Sequence, residues 1–166
     1  LQMCIRDRLY PSHTRIDYAY YLKALSIFDS STSLLQRVSR VDPSKQDPGP
    51  AQESFETFRR LVTLFPKSSY AGDARQRMAE ILDIIAQHEI DIGRYYLRRG
   101  AHVAALNRAK YVLEHYPDVS AVEDALGIMV VVYKKMDFDT LLDDTIRILK
   151  QNYPDSTYTV SYTHLR

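Results

Sequence analysis

The chain has 166 residues, with 22 basic and 21 acidic side chains and a formal net charge of +1. That size and balance indicate one soluble domain and exclude a strongly basic nucleic-acid binder. No run of about 18 apolar residues occurs, so no transmembrane helix is expected.

The two ends stand apart. Gln2 to Arg8 (QMCIRDR) and Val160 to Leu165 (VSYTHL) are encodable by the two strands of one inverted DNA repeat, which resembles a transposon end used to tag sequencing libraries. Residues 1–8 and 160–166 are therefore expected to be adapter-derived scars outside the fold. Leaving out Arg6, Arg8, Arg166 and Asp7 turns the net charge to −1, and no electrostatic case for nucleic acid or an anionic membrane remains. Cys4, the one cysteine, also falls in the first scar, so no disulfide, thiolate zinc site or cysteine nucleophile is expected. The string LQMC carries Met3 where a lipoprotein cleavage box needs a small residue.

Along the chain, the spacing of apolar residues predicts helices over 15–29, 51–64, 73–99, 101–116, 122–136 and 140–151. Nothing alternates with period two, so no sheet is expected. The long third helix, about 40 Å at the usual rise per residue, ends at Gly100 after Arg98 and Arg99: glycine suits a left-handed cap, and late arginines complement the helix dipole. The Ser-, Pro- and Asp-rich stretch 30–50 reads as a loop insertion.

An aromatic-proline pair followed by a hydroxyl residue recurs four times: Tyr10-Pro11 with Thr14, Phe65-Pro66 with Ser69, Tyr116-Pro117 with Ser120, and Tyr153-Pro154 with Thr157. Proline disfavours helical geometry in the residue before it, and the hydroxyl is placed to cap the next helix, with Glu123 completing a capping box at Ser120. Pro66 is followed by Asp73, Ala74 and Met78, and Pro117 by Asp124, Ala125 and Met129, at identical offsets. Successive prolines lie 55, 51 and 37 residues apart, the last near the period of about 34 of tetratricopeptide repeats. Gly93, Tyr96, Ala105, Phe58 and Tyr133 fall where that pattern wants small residues for close helix approach and aromatics between helix pairs. The expected fold is all-α, a tetratricopeptide-like helical-hairpin solenoid over 9–159, with repeats at 9–68, 69–119 and 120–156.

Enzymatic motifs are lacking: there is no HExxH, no Gly-rich phosphate loop and no G-x-S-x-G elbow. His88-Glu89 has no second histidine four residues on. Neither catalysis, nor a metal, nor a cofactor is expected. Candidate partner-binding residues are Arg94, Arg98 and Arg99 at the end of the long helix, Asn107 and Arg108 on the next, and His102 and His115 at that helix's two ends. Arginine pairs bidentately with carboxylates, which suits docking; complementing a helix end is the structural alternative for Arg98 and Arg99. Tyr18, Tyr20, Tyr21, Tyr95, Tyr96 and Tyr111 suit solenoid packing or a peptide groove, and adjacent Tyr95 and Tyr96 cannot both face inward.

Several strings together resemble the BamD family of outer-membrane β-barrel assembly lipoproteins: IDYAYYLKAL, the segment from Val41-Asp42 to Asp47-Pro48, AQESFETFRRLVTLFPKSSYAGDA and GRYYLRRGAHVAALNRAKYVLEHYP. The resemblance runs from about Tyr10 to Asp155. It implies five repeats behind a lipidated cysteine, of which this chain would hold roughly the third to fifth, with the lipid anchor as the only link to the membrane. It further implies a scaffold at the periplasmic face of the outer membrane that docks the POTRA region of BamA and meets other assembly lipoproteins, unfolded outer-membrane proteins binding through the earlier repeats. Asn107-Arg108 lie in a family-like string, and Glu114 and His115 stand where family members carry a basic and then an acidic residue, so the charge there is reversed. Another periplasmic tetratricopeptide module of envelope organisation is the alternative reading.

Overall fold

The computed structural model describes residues 15–37 and 48–158, with the side chains of 30–37 outside the description. Among the described residues every regular element is a helix: α1 (Ile16–Arg37), α2 (Gly49–Leu64), α3 (Ala71–Arg98), α4 (His102–His115), α5 (Ala121–Lys135) and α6 (Asp139–Asn152). No helix among them is long and apolar enough to cross a membrane. The first and last segments, including the Tyr10-Pro11 pair, lie outside the described residues, as does 38–47.

Helix ends follow the repeat. At Phe65, Tyr116 and Tyr153 the backbone takes nearly the same bend (φ −130°, −134° and −134°), and each N–H donates to the carbonyl four residues back, at 2.8, 2.8 and 2.7 Å. The following proline enforces that geometry, because its ring excludes the helical conformation from the residue before it.

A second kind of ending occurs twice. At the end of α3, Gly100 has φ +73°, with its N–H donating to the Leu97 carbonyl and that of Ala101 to Tyr96. This is the Schellman cap, in which a left-handed residue turns two orphan carbonyls inward. Asp137 takes the same role after α5, with φ +55° and the Phe138 N–H on the Tyr133 carbonyl at 3.0 Å.

Two expectations are corrected. The loop predicted over 30–50 begins later, because α1 continues through Arg37; α2 then starts with Pro50 in its first turn, where a missing N–H costs nothing. The capping hydroxyls are also shifted. Ser120 precedes α5 without a side-chain cap hydrogen bond, so the expected box with Glu123 does not close. In two copies of the repeat it is the residue two after proline that acts: Ser68 Oγ accepts the Tyr70 N–H at 3.2 Å, and Ser156 Oγ accepts the Tyr158 N–H at 3.4 Å.

The chain divides into two compact units at Ile85/Ala86, within α3. In the first, α1 packs on α2 through small residues: Ala19, Ala24, Ala51 and Ser54 are buried, and Ser54 Oγ donates to the Ala24 carbonyl at 2.9 Å. Phe58 and Leu61 fill the interior, and Ile81 and Ile85 are buried with them. In the second, Ile90, Ala105, Ala109, Val112, Ala125, Ile128, Val132, Tyr133 and Ile146 form one core. Full burial of such aliphatic side chains contributes about 1.5–3 kcal/mol each, the main stabilising term of a helical repeat.

Candidate docking surface

On α3, Glu89, Gly93 and Tyr96 follow one another at helical spacing and share a face. On α4, Ala104, Arg108 and Tyr111 do the same, with Asn107 beside them. Gly93 brings the two faces together: a Cβ there would lie 3.1 Å from Ile128 Cδ1, 3.6 Å from Arg108 Cβ and 3.7 Å from the Ala105 carbonyl oxygen. The expected use of Gly93 and Ala105 for close approach is thus present in the packing.

Close approach lets the Arg108 stem cross to α3, where Nη1 donates to Glu89 Oε2 at 2.8 Å. The pair is unequal in exposure, the Glu89 side chain at 12% and that of Arg108 at 42%. Arg108 lines an open cavity of about 330 Å³ together with Tyr96, Ala104, Asn107 and Tyr111. The Tyr111 ring stacks on His115 at 4.0 Å between centroids and meets Tyr116 edge-on at 6.0 Å. The His115 Nδ1 lies 3.0 Å from the Tyr111 carbonyl oxygen. Beneath this rim the Tyr116 hydroxyl is pushed up to about 12 by burial, then by its hydrogen bond with Tyr111 and by the nearby charges. A guanidinium fixed at the rim of an aromatic-walled hollow can offer planar N–H donors to a carboxylate while tyrosine faces take the apolar flank of the same ligand.

Of the eight residues predicted from sequence, the fold brings Asn107 and Arg108 to this cavity and His115 to its edge through Tyr111. Arg94 serves another network. Its Nη2 lies 2.7 Å from Asp124 Oδ1 and its Nη1 3.4 Å from Asp91, and the Tyr158 hydroxyl donates to Asp124 at 2.6 Å. The Tyr158 ring covers Gly127, where a Cβ would come within 2.6 Å of it. Arg98 and Arg99 are exposed at the end of α3, with Arg99 placed 5.1 Å over the Tyr95 ring. Tyr96 packs against the core while Tyr95 does not, as their adjacency requires. His102 opens α4 with its Nδ1 shielded and without a hydrogen-bond partner among the described residues, and Glu114 is exposed.

Glu89, Asp124 and Tyr158 are the members that sequence reasoning misses. Glu89 stands out there only as the neighbour of His88, itself buried. The available signal is register: Glu89 lies four residues before Gly93, the contact point of the helix pair, and a carboxylate there faces whatever cation the second helix brings across.

The first unit holds a related arrangement. Asp73, at the same offset from Pro66 as Asp124 from Pro117, accepts the Tyr21 hydroxyl at 2.6 Å and Arg77 Nε at 2.9 Å. The tyrosine hydrogen bond, then Arg77, holds the Asp73 carboxyl below the usual range.

The chain is similar to the outer membrane protein assembly factor BamD of Neisseria gonorrhoeae, 40% identical over 151 residues, which are 91% of this chain and 57% of the relative. The same name and the same figures apply to the relative from Neisseria meningitidis serogroup B strain MC58. The BamD of Xylella fastidiosa strain 9a5c is 37% identical over 148 residues, 89% of this chain and 51% of the relative. The chain thus spans between about half and three-fifths of the length of these curated relatives. The family described as YfiO, outer membrane lipoprotein, matches residues 7–148, and the chain belongs to this family.

Proposed function

We propose that the chain is a non-catalytic scaffold of the outer-membrane protein assembly machinery, and that the α3–α4 face docks the POTRA region of BamA at the periplasmic face of the outer membrane. The observation that carries this reading is Arg108, anchored on Glu89 at the rim of an open cavity walled by Tyr96, Asn107 and Tyr111. The names of the relatives, outer membrane protein assembly factors, supply the process, and the geometry supplies a surface suited to a partner carboxylate. Anchoring through a lipid, contact with other assembly lipoproteins, and handling of unfolded outer-membrane proteins belong to the same proposal for the longer protein.

Binding of the chain to purified POTRA region, measured by calorimetry with an Arg108→Glu variant alongside, tests it. Saturable one-to-one binding that the variant weakens at least about tenfold is expected, since reversing a charge at a docking site loses the pair and adds repulsion. An equally helical variant that binds as well as the parent would remove Arg108 from the interface, and a parent that does not bind would remove the docking role.

A further inference from the structure

An arginine at a docking site is effective only if its guanidinium already points at the partner, because ordering a long side chain on binding costs affinity. Arg108 has such an arrangement built beneath it. Glu89 is nearly buried, its Oε2 is 2.8 Å from Arg108 Nη1, and Gly93, one turn along the same face of α3, leaves open the path by which the arginine stem crosses. Tyr96, a further turn along, and Tyr111 on α4 line the cavity beside the guanidinium. The Nη1 contact ties one end of the guanidinium to Glu89, and Arg108 also lines the cavity. The near-buried carboxylate also requires this partner, since an uncompensated charge there is costly.

We propose that Glu89 is the positioning residue of the docking site, holding the Arg108 guanidinium in the orientation that meets a partner carboxylate. The inference rests on the docking reading above for its partner, but the hold itself is a property of the free chain. Glu89 does not touch the partner; it acts through Arg108. The site is accordingly close to neutral before docking, and its selectivity comes from a fixed hydrogen-bond fork, which a lysine cannot reproduce.

Two measurements on the full chain decide it. In the free protein, side-chain nitrogen NMR of Arg108 should show resolved, slowly exchanging Nη signals in the parent that merge in Glu89→Gln, while far-UV circular dichroism stays the same. Averaged Nη signals already in the parent would overturn the proposal whether or not the POTRA region binds. With POTRA binding, Glu89→Gln alone should weaken the complex about five- to tenfold, the size of coupling typical of residues in contact. In the Arg108→Ala background the same substitution should change affinity less than about twofold, or improve it by removing a bare carboxylate. An equal loss in both backgrounds would mean that Glu89 acts on the partner or on the fold without Arg108, and would also overturn it. If the parent fails to bind while its Nη signals are held, the docking reading falls and the positioning of Arg108 by Glu89 stands.

Discussion

Asp73 and Tyr116 are perturbed in opposite directions for opposite reasons, and each gives a test of local geometry. Asp73 gains a short hydrogen bond from Tyr21 and a second from Arg77, so its folded pKa lies below the unfolded value. A depressed carboxyl contributes stability above its unfolded pKa of about 4 and loses that contribution as pH falls through the folded value. Asp73→Asn should therefore melt below the parent at pH 7, and the gap should close on acidification below pH 4. A gap that persists at the lowest pH would mean that the residue acts by packing. Tyr116 is raised to about 12, first by burial, so its contribution is present below about pH 10 and is lost between there and about 12. Tyr21 and Tyr158 are raised as well, so titration of tyrosinate absorbance should show several late components, of which Tyr116→Phe removes one.

At the level of elements, the two Schellman caps make a natural comparison. Gly100 accepts the left-handed conformation without cost, whereas Asp137 carries a Cβ into it at φ +55°. Asp137→Gly should raise stability by up to about 1 kcal/mol, and Asp137→Ala should lower it by a similar amount, because alanine keeps the Cβ and loses the local polar compensation of aspartate. Chemical denaturation of the three proteins checks the order. The same comparison shows why the sequence discloses some features and hides others. Gly100 is legible because glycine after a helix with late arginines has few other uses; Asp137 is not, because aspartate in a loop is ordinary. The helices, the aromatic-proline endings and the close approach at Gly93 follow from spacings within one or two turns. Ser68 and Ser156 lie one position before the expected caps, since the helix resumes at different distances after Pro66 and Pro154, a difference that the recurring proline motif does not record. Glu89 with Arg108, and Asp124 with Tyr158, are 19 and 34 residues apart, and their meeting depends on how helices cross, which no local pattern records. The run through Arg37 escaped because serines and threonines from Ser30 to Ser33 favour turns only weakly, and an established helix carries them.

For the molecule as a whole, 22 basic and 21 acidic residues leave almost no net field, and removing the expected terminal scars changes the sign but not the smallness of the charge. Much of this charge is also satisfied locally, as in Arg59 with Glu56, Arg77 with Asp73 and Arg147 with Asp144, pairs three or four residues apart. The docking cavity follows the same pattern, with Arg108 already facing Glu89. Long-range steering needs an unbalanced charge on both partners, so a chain of this kind associates by short-range fit. The association rate constant for the POTRA region should fall near the unsteered range of about 10⁵–10⁶ M⁻¹s⁻¹ and change less than about threefold between 50 and 500 mM salt. Arg98 and Arg99 offer the contrast, since they are exposed at the end of α3. Were they the principal contacts, the rate would drop steeply over the same salt range, because exposed charges act over distances that salt screens. Stopped-flow association across that series therefore separates the two parts of the candidate set: a flat profile assigns docking to the anchored Arg108 cavity, and a steep one assigns it to the arginine pair at the helix end.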